Sequence, residues 1–225
     1  MPRLARAEYE PGIYHVYARG NRKQPIYATD KDRRRYLATL GRVTLRMRWR
    51  CLSYCLMGNH MHLLIETREP NLGNGMHRLQ GSYAQYFNRR HGHVGHLFQD
   101  RYRAEPVTSD GQLFMTAAYI ARNPVDAGLC EAAADWAWSS HADLLNAREP
   151  LWLDTERLVE FFGAQGGDGL ARYISLVDAL IKRLPKGDSP LYGPEDLERS
   201  SGRRNQKDAR RTAIVVGAAQ TIHVS

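Results

Sequence analysis

The chain has 225 residues, which is enough for one well-filled core, or for one domain with a small appendage. No run approaches the roughly 20 apolar residues that span a bilayer, and Arg3, Arg6, Glu8 and Glu10 interrupt any apolar leader, so a membrane partner is excluded and a cytoplasmic place is expected. A formal charge of +8 and a pI of about 9.6 favour polyanionic partners, above all nucleic acid, while three cysteines make no disulfide framework.

Residues 13 to 19, IYHVYAR, are rich in β-branched and aromatic side chains and read as a strand. Gly20 to Pro25 is a turn by composition. A helix is expected after Asp30, read as its N-cap, because Tyr36, Leu37, Leu40, Val43 and Met47 recur at three- and four-residue steps. Residues 51 to 57 and 60 to 67 read as two strands of a hairpin broken at Gly58-Asn59. A second long helix is expected from Leu72 to Arg89, with Leu72, Met76, Leu79, Tyr83, Tyr86 and Phe87 turned inward. A short strand near Tyr102 to Val107 follows. Ser109 then caps a third helix, Gln112 completes a capping box, and the helix is expected to end near Pro124. That helix turns Leu113, Phe114, Ala117 and Ile120 inward.

The order is strand, helix, strand, strand, helix, strand, helix. It predicts an α+β fold with one central four-stranded antiparallel sheet backed by two helices, the last helix docking elsewhere on the sheet. Beyond Gly128, Trp136, Trp138 and Trp152 read as packing anchors, and further helices are expected near Thr155 to Phe162 and Leu170 to Leu184. Proline, glycine and charge dominate after Pro185. The expected division is 9–146 as a catalytic domain, 147–184 as a helical extension and 185–225 as a flexible tail.

His60-Met61-His62 is the sharpest local feature, because residues two apart on a strand face the same way and can reach one metal ion. Cys51 and Cys55 offer a competing structural zinc site with these histidines. On a continuous strand, however, their rise alone separates them by about 13 Å, so they read better as small core residues. On the third helix, Tyr119 and Asn123 are four apart and share a face that differs from the apolar one. Tyrosine offers a nucleophilic oxygen, and asparagine a carbonyl ligand for a hard cation. Read without further context, Tyr119 is an ordinary helix aromatic.

Several spaced blocks carry a resemblance. They are His15-Val16-Tyr17-Ala18-Arg19-Gly20-Asn21-Arg22, Tyr54 through Leu64 with its His60-Met61-His62, Tyr83 through Gly92, Gly95 through Tyr102, Tyr119-Ile120-Ala121-Arg122-Asn123-Pro124-Val125, and Trp138-Ser139-Ser140-His141. The chain resembles the single-tyrosine transposases of the His-hydrophobe-His superfamily, and more narrowly the REP-associated tyrosine transposases. The resemblance implies an RRM-like, ferredoxin-like plait, which agrees with the element order. It implies a metal pair in His60 and His62, a nucleophile in Tyr119, and a further polar ligand in Asn123, where relatives commonly carry glutamine. It implies Mg2+ or Mn2+ as cofactor, single-stranded or hairpin DNA such as repeated extragenic palindromes as partner, a 5′-phosphotyrosine intermediate, and a nucleoid-associated protein that acts as a monomer or a homodimer. Arg19, Asn21, Arg22, Arg89, Arg90, Arg101 and Arg103 are the candidate DNA contacts, arginine being the better fork for phosphate. Two other readings stay open at this point: a non-catalytic hairpin DNA- or RNA-binding protein, and a metal hydrolase in which water attacks.

Overall fold

The computed structural model describes residues 9–164 and 166–183. Strand β1 (Gly12–Arg19) leads through a turn of 3-10 helix at Asn21–Lys23 to α1 (Asp30–Met47). The hairpin β2 (Arg50–Leu56) and β3 (His60–Thr67) is followed by α2 (Leu72–His91), β4 (Arg103–Val107) and α3 (Asp110–Asp126). Three further helices complete the described chain: α4 (Ser140–Leu145), α5 (Thr155–Gly163) and α6 (Gly169–Arg183). The four strands form one antiparallel sheet in the order β2-β3-β1-β4. With its flanking helices this is the α+β plait of the ferredoxin-like and RRM-like kind.

Alternation along the strands sorts their side chains into two cores. Tyr14, Val16 and Ala18 of β1 and Met61, Leu63 and Ile65 of β3 pack under α1 and α2 with Tyr36, Leu40, Met76, Leu79 and Tyr83. The other face, including Leu52, Cys55 and Leu64, packs under α3, and α5 and α6 close over it with Leu158, Phe162, Tyr173 and Val177. The two layers leave each strand of the hairpin buried on both sides, so its sequence reads as a near-continuous apolar run.

Four local expectations are corrected. Helix α1 starts one residue early: Thr29 is its N-cap, and the buried Asp32 carboxylate accepts hydrogen bonds from the Thr29 N–H (2.8 Å), the Ala28 N–H (3.1 Å) and the Thr29 hydroxyl (3.0 Å). Ser109 does accept from the Gln112 N–H at 3.3 Å, but the Gln112 amide oxygen takes the N–H of Thr108, one residue outside the cap. Helix α3 runs through Pro124 to Asp126, because a proline in the last turn forfeits only one ladder bond. The face of α3 carrying Tyr119 and Asn123 is not a solvent face: Met115 through Val125 is buried without interruption.

Cys51 and Cys55 fall in different cores, because a bulge between Cys51 and Ser53 reverses the parity of β2. Both thiols are free and burial pushes their pKa values up, so the competing zinc site is overturned. The tail expected at 185–225 lies outside the described residues. Among the described residues, no helix is long and apolar enough to cross a membrane.

Candidate active site

The sheet face under α3 gathers polar groups that the strands would otherwise bury in a core. His60 and His62 of β3 point to this face, with ring centroids 5.1 Å apart and planes at 90°. β1 adds two more side chains by the same alternation, His15 and Tyr17, the latter directly opposite His62 in the register. Helix α3 lays Tyr119 across them. Its ring meets His62 edge-on at 5.4 Å between centroids and His15 at 5.9 Å. One turn on, the Asn123 amide oxygen lies 3.5 Å from His60 Nε2. The spacing of four on α3 and of two on β3 therefore converges: Tyr119, Asn123, His60 and His62 form one cluster.

The hydrogen bonds fix the ring orientations. Asn59 donates from Nδ2 to the Lys23 carbonyl (3.0 Å), which aims its Oδ1 at His60 Nδ1, 2.8 Å away. His60 Nδ1–H is thus the donor, and Nε2 carries the lone pair. Asn123 Nδ2 leans toward the Tyr119 carbonyl at 3.5 Å, which leaves its Oδ1 facing that lone pair. His62 Nδ1 lies 3.0 Å from His15 Nε2. Burial pushes the His60 pKa down to about 4, with the Arg19 guanidinium adding to the effect and the Asn123 contact opposing it. Burial also lowers His15 to about 3, and holds His62 well below the ordinary histidine value with help from its two histidine neighbours. All three rings are neutral at physiological pH. Tyr17 donates to Glu105 Oε1 at 2.8 Å, and burial and that carboxylate raise its pKa.

Two acceptors, His60 Nε2 and Asn123 Oδ1, therefore face each other with no proton between them. A cation relieves that repulsion, and neutral imidazole and amide oxygen suit a hard divalent ion. Among the described residues, no group of three or more His, Cys, Asp or Glu side chains is arranged to hold a metal. Any ion here would rest on two histidines and an amide, with the rest of its shell open.

The arginines divide by sheet face. Arg19 ends β1 opposite His60, and Arg103 on β4 pairs with Tyr17, so both border the cluster. Asn21 and Arg22 are exposed on the turn that follows, beside the 97–99 segment: the Asn21 N–H donates to Leu97 O, and the Gln99 N–H to Arg19 O. Arg22 and Lys23 hold φ of +52° and +60°, a left-handed geometry unusual for side-chain-bearing residues. Gly20 makes this turn possible, since a Cβ there would stand 2.1 Å from the Gln24 carbonyl oxygen. Arg101 is exposed in the loop before β4. Arg89 and Arg90 sit at the end of α2, under the other face, and Arg90 pairs with buried Asp32 at 3.4 Å, so neither joins the cluster. His91 also bonds Asp32, at 3.1 Å, and Glu66 pairs with Arg50 and Arg157 at the far end of β3.

Sequence reasoning passed over His15, Tyr17, Glu105 and Asn59 as site residues. His15 and Tyr17 were open to detection, because they share parity on a strand flanking the histidine pair. Glu105 and Asn59 became visible only with the register and the hairpin turn.

Residues 9–123 match the family described as Transposase IS200 like. The chain belongs to that family. Membership gives this IS200-like transposase homologue a transposase-like, DNA-interacting function. Its fold is similar to that of a solved REP-associated tyrosine transposase bound to a REP hairpin, with a TM-score of 0.53 and 17% identity over 69% of this chain and 93% of that one. A candidate transposase from Deinococcus radiodurans R1 is more distant, with a TM-score of 0.38 and 15% identity over 48% of this chain and 88% of that one. No curated protein matches the chain.

Proposed function

We propose that the protein is a metal-dependent, single-tyrosine nuclease and strand transferase of the REP-associated kind, acting on single-stranded DNA at hairpins. The observation that carries this reading is the convergence of Tyr119 and Asn123 on His60 and His62, residues 57 or more positions apart in the chain. The catalytic domain is 9–146, followed by a helical extension at 147–184 whose helices α5 and α6 cover the second core. The REP hairpin held by the solved transposase of similar fold supports the substrate class.

His60 through Nε2, His62 through Nε2 and Asn123 through Oδ1 would hold Mg2+ or Mn2+. When bound, the ion would offset charge developing on the scissile phosphate. The chain's own residues set the stage for that role. With the shared proton on His62 Nδ1 and donated to His15, Nε2 keeps its lone pair, and Asn59 fixes His60 in the matching tautomer. Tyr119 Oη forms a bond to phosphorus. The P–O3′ bond breaks, and its electron pair leaves with the 3′ oxygen, which takes up a proton. The products are a 5′-phosphotyrosine and a free 3′-hydroxyl. A tyrosine phenol ordinarily titrates near 10, so the step also requires that its proton be drawn off. Because the phosphotyrosine conserves the ester bond, a later 3′-hydroxyl can reverse the step and join strands. Arg19, Asn21, Arg22 and Arg103 line the rim where the backbone would enter. Arg101 and, from the far layer, Arg89 and Arg90 are secondary contacts.

The test is to incubate labelled hairpin DNA with the protein and Mn2+, denature, and map any covalent adduct by peptide mass spectrometry. An adduct on Tyr119, absent from Tyr119→Phe, is expected. Nicking without an adduct would assign the attack to water, and hairpin binding with neither would leave a non-catalytic binding protein.

A further inference from the structure

The helices on the two sides of the sheet differ sharply in charge. Helix α1 holds six Lys and Arg against two Asp, and α2 holds three Arg and no acidic residue. The two helices therefore carry a net of seven positive charges, where the whole chain carries +8. Helices α3 to α6, on the opposite side of the sheet, hold five Lys and Arg against six Asp and Glu. Both acids of the basic layer are already engaged: Asp30 pairs with Arg33 at 3.5 Å, and Asp32 is buried beneath Arg90 and His91. Lys31, Arg34, Arg42, Arg46, Arg78 and Arg89 are exposed and have no ion pair among the described residues.

A depression of about 600 Å3 lies in this layer, between the end of α1 and residues 74–85 of α2. Asn74, His77, Arg78, Ser82 and Gln85 line it with hydrogen-bond donors, and no carboxylate enters it. Gly81 in its lining has nothing within 4 Å of where a Cβ would stand, so another backbone can approach the helix closely. Helix α2 starts soon after β3 ends at Thr67, and the depression lies toward that end, whereas His60 begins the strand; the C-terminal end of α2, with Arg89 and Arg90, returns toward the His60 end of the sheet.

We propose that the outer surface of the α1–α2 layer is a second DNA surface, which holds the phosphate backbone of duplex DNA on the side of the sheet opposite Tyr119. Arginine, asparagine, glutamine and serine side chains are the usual phosphate donors, and a field with a net of seven positive charges raises the local concentration of a polyanion. An anionic membrane fits less well. The apolar faces of both helices are spent in the core, and Leu45 is the only large hydrophobic residue exposed on either. The proposal rests on the family's DNA-interacting function for the identity of the polymer, and not on the tyrosine chemistry.

The experiment compares the full chain with a quadruple variant, Arg34→Gln, Arg42→Gln, Arg46→Gln and Arg78→Gln. Binding of a long duplex without hairpins is titrated against salt. Each lost phosphate contact lowers the slope of log K against log salt by about 0.9, so the variant's slope is expected to fall by about 3 to 4. Adduct formation on a short saturating hairpin strand, and the melting temperature, should match the parent. An unchanged slope in the folded variant overturns the proposal, as does binding to anionic vesicles with none to duplex. A parent that binds duplex with a steep slope, loses it in the variant and forms no adduct would uphold this surface while sinking the tyrosine mechanism.

Discussion

His15 provides the sharpest test of how the candidate site is built. It is 1% exposed, lies 3.0 Å from His62 Nδ1 and stands edge-on to Tyr119. If it accepts the His62 Nδ1 proton, it fixes the nitrogen that faces the cleft. His15→Phe keeps a ring in the same space but offers no acceptor, so the His62 N–H is left buried and unpaired. That costs about 1–3 kcal/mol of stability, or roughly 2–4 °C of melting temperature per kcal/mol for a domain of this size. Losing a partner that orients a ligand weakens metal affinity or activity about 10–100-fold. His15→Gln, which restores an acceptor oxygen, should recover part of that loss. The assay is single-turnover adduct formation measured over a range of Mn2+ concentrations. In His15→Phe the concentration for half-maximal rate should rise by that factor, while hairpin affinity without metal holds steady. A merely structural role would lower stability and leave the metal dependence alone. A folded His15→Phe protein with the parental rate and the parental Mn2+ dependence would refute the argument.

His60→Ala and His62→Ala should each abolish divalent-dependent nicking while hairpin binding persists; a folded double variant that nicks at the parental rate in a gel assay contradicts the metal assignment. Single-stranded DNA bearing a hairpin should be cleaved in preference to the matching duplex, and Arg19→Gln or Arg22→Gln should each lower the salt slope of hairpin binding by about 0.9; equal cleavage of both forms counts against the substrate class. Asp32→Ala removes the capping carboxylate of α1 and should cost about 0.5–2 kcal/mol in denaturant unfolding. Burial opposes the Asp32 charge, but His91 and Thr29 outweigh it and hold its pKa below the usual carboxylate value. Its stabilising effect is therefore full above the unfolded-state pKa of about 4 and fades as pH falls through the lower folded value. A variant whose stability falls in parallel with the parent's on acidification would show that Asp32 has no such role.

The parts of the fold set by local periodicity were legible in the chain. The spacing of two in His60-Met61-His62 and of four in Tyr119 to Asn123 each placed a pair on one face, and the strand and helix order was enough for the plait. What stayed hidden depended on partners distant in sequence. His15 joins the site because β1 pairs with β3 in one register, and a one-residue shift would have turned it into the other core. The parity of Cys51 and Cys55 was inverted by a bulge with no compositional mark. Tyr119 reads as lying on a polar stripe because the groups that bury that side of α3 are the histidines of β1 and β3, more than 50 residues earlier in the chain.

The outer edge of β2 bears on modularity. It is not open: the Leu56 N–H donates to Trp138 O at 2.9 Å, the Asp154 N–H donates to Cys51 O at 2.8 Å, and the Trp136 indole reaches Leu56 O at 3.1 Å. The covering segments lie beyond residue 123, where the match to the family ends. A fragment cut at that point would present a bare apolar strand to other copies, an invitation to edge-to-edge aggregation. At the other edge, β4 is short, and Arg103, Glu105 and Pro106 make it a poor template for strand addition. The limit of the family match is therefore not a limit of autonomous folding, and residues beyond it shield the strand edge of those within it.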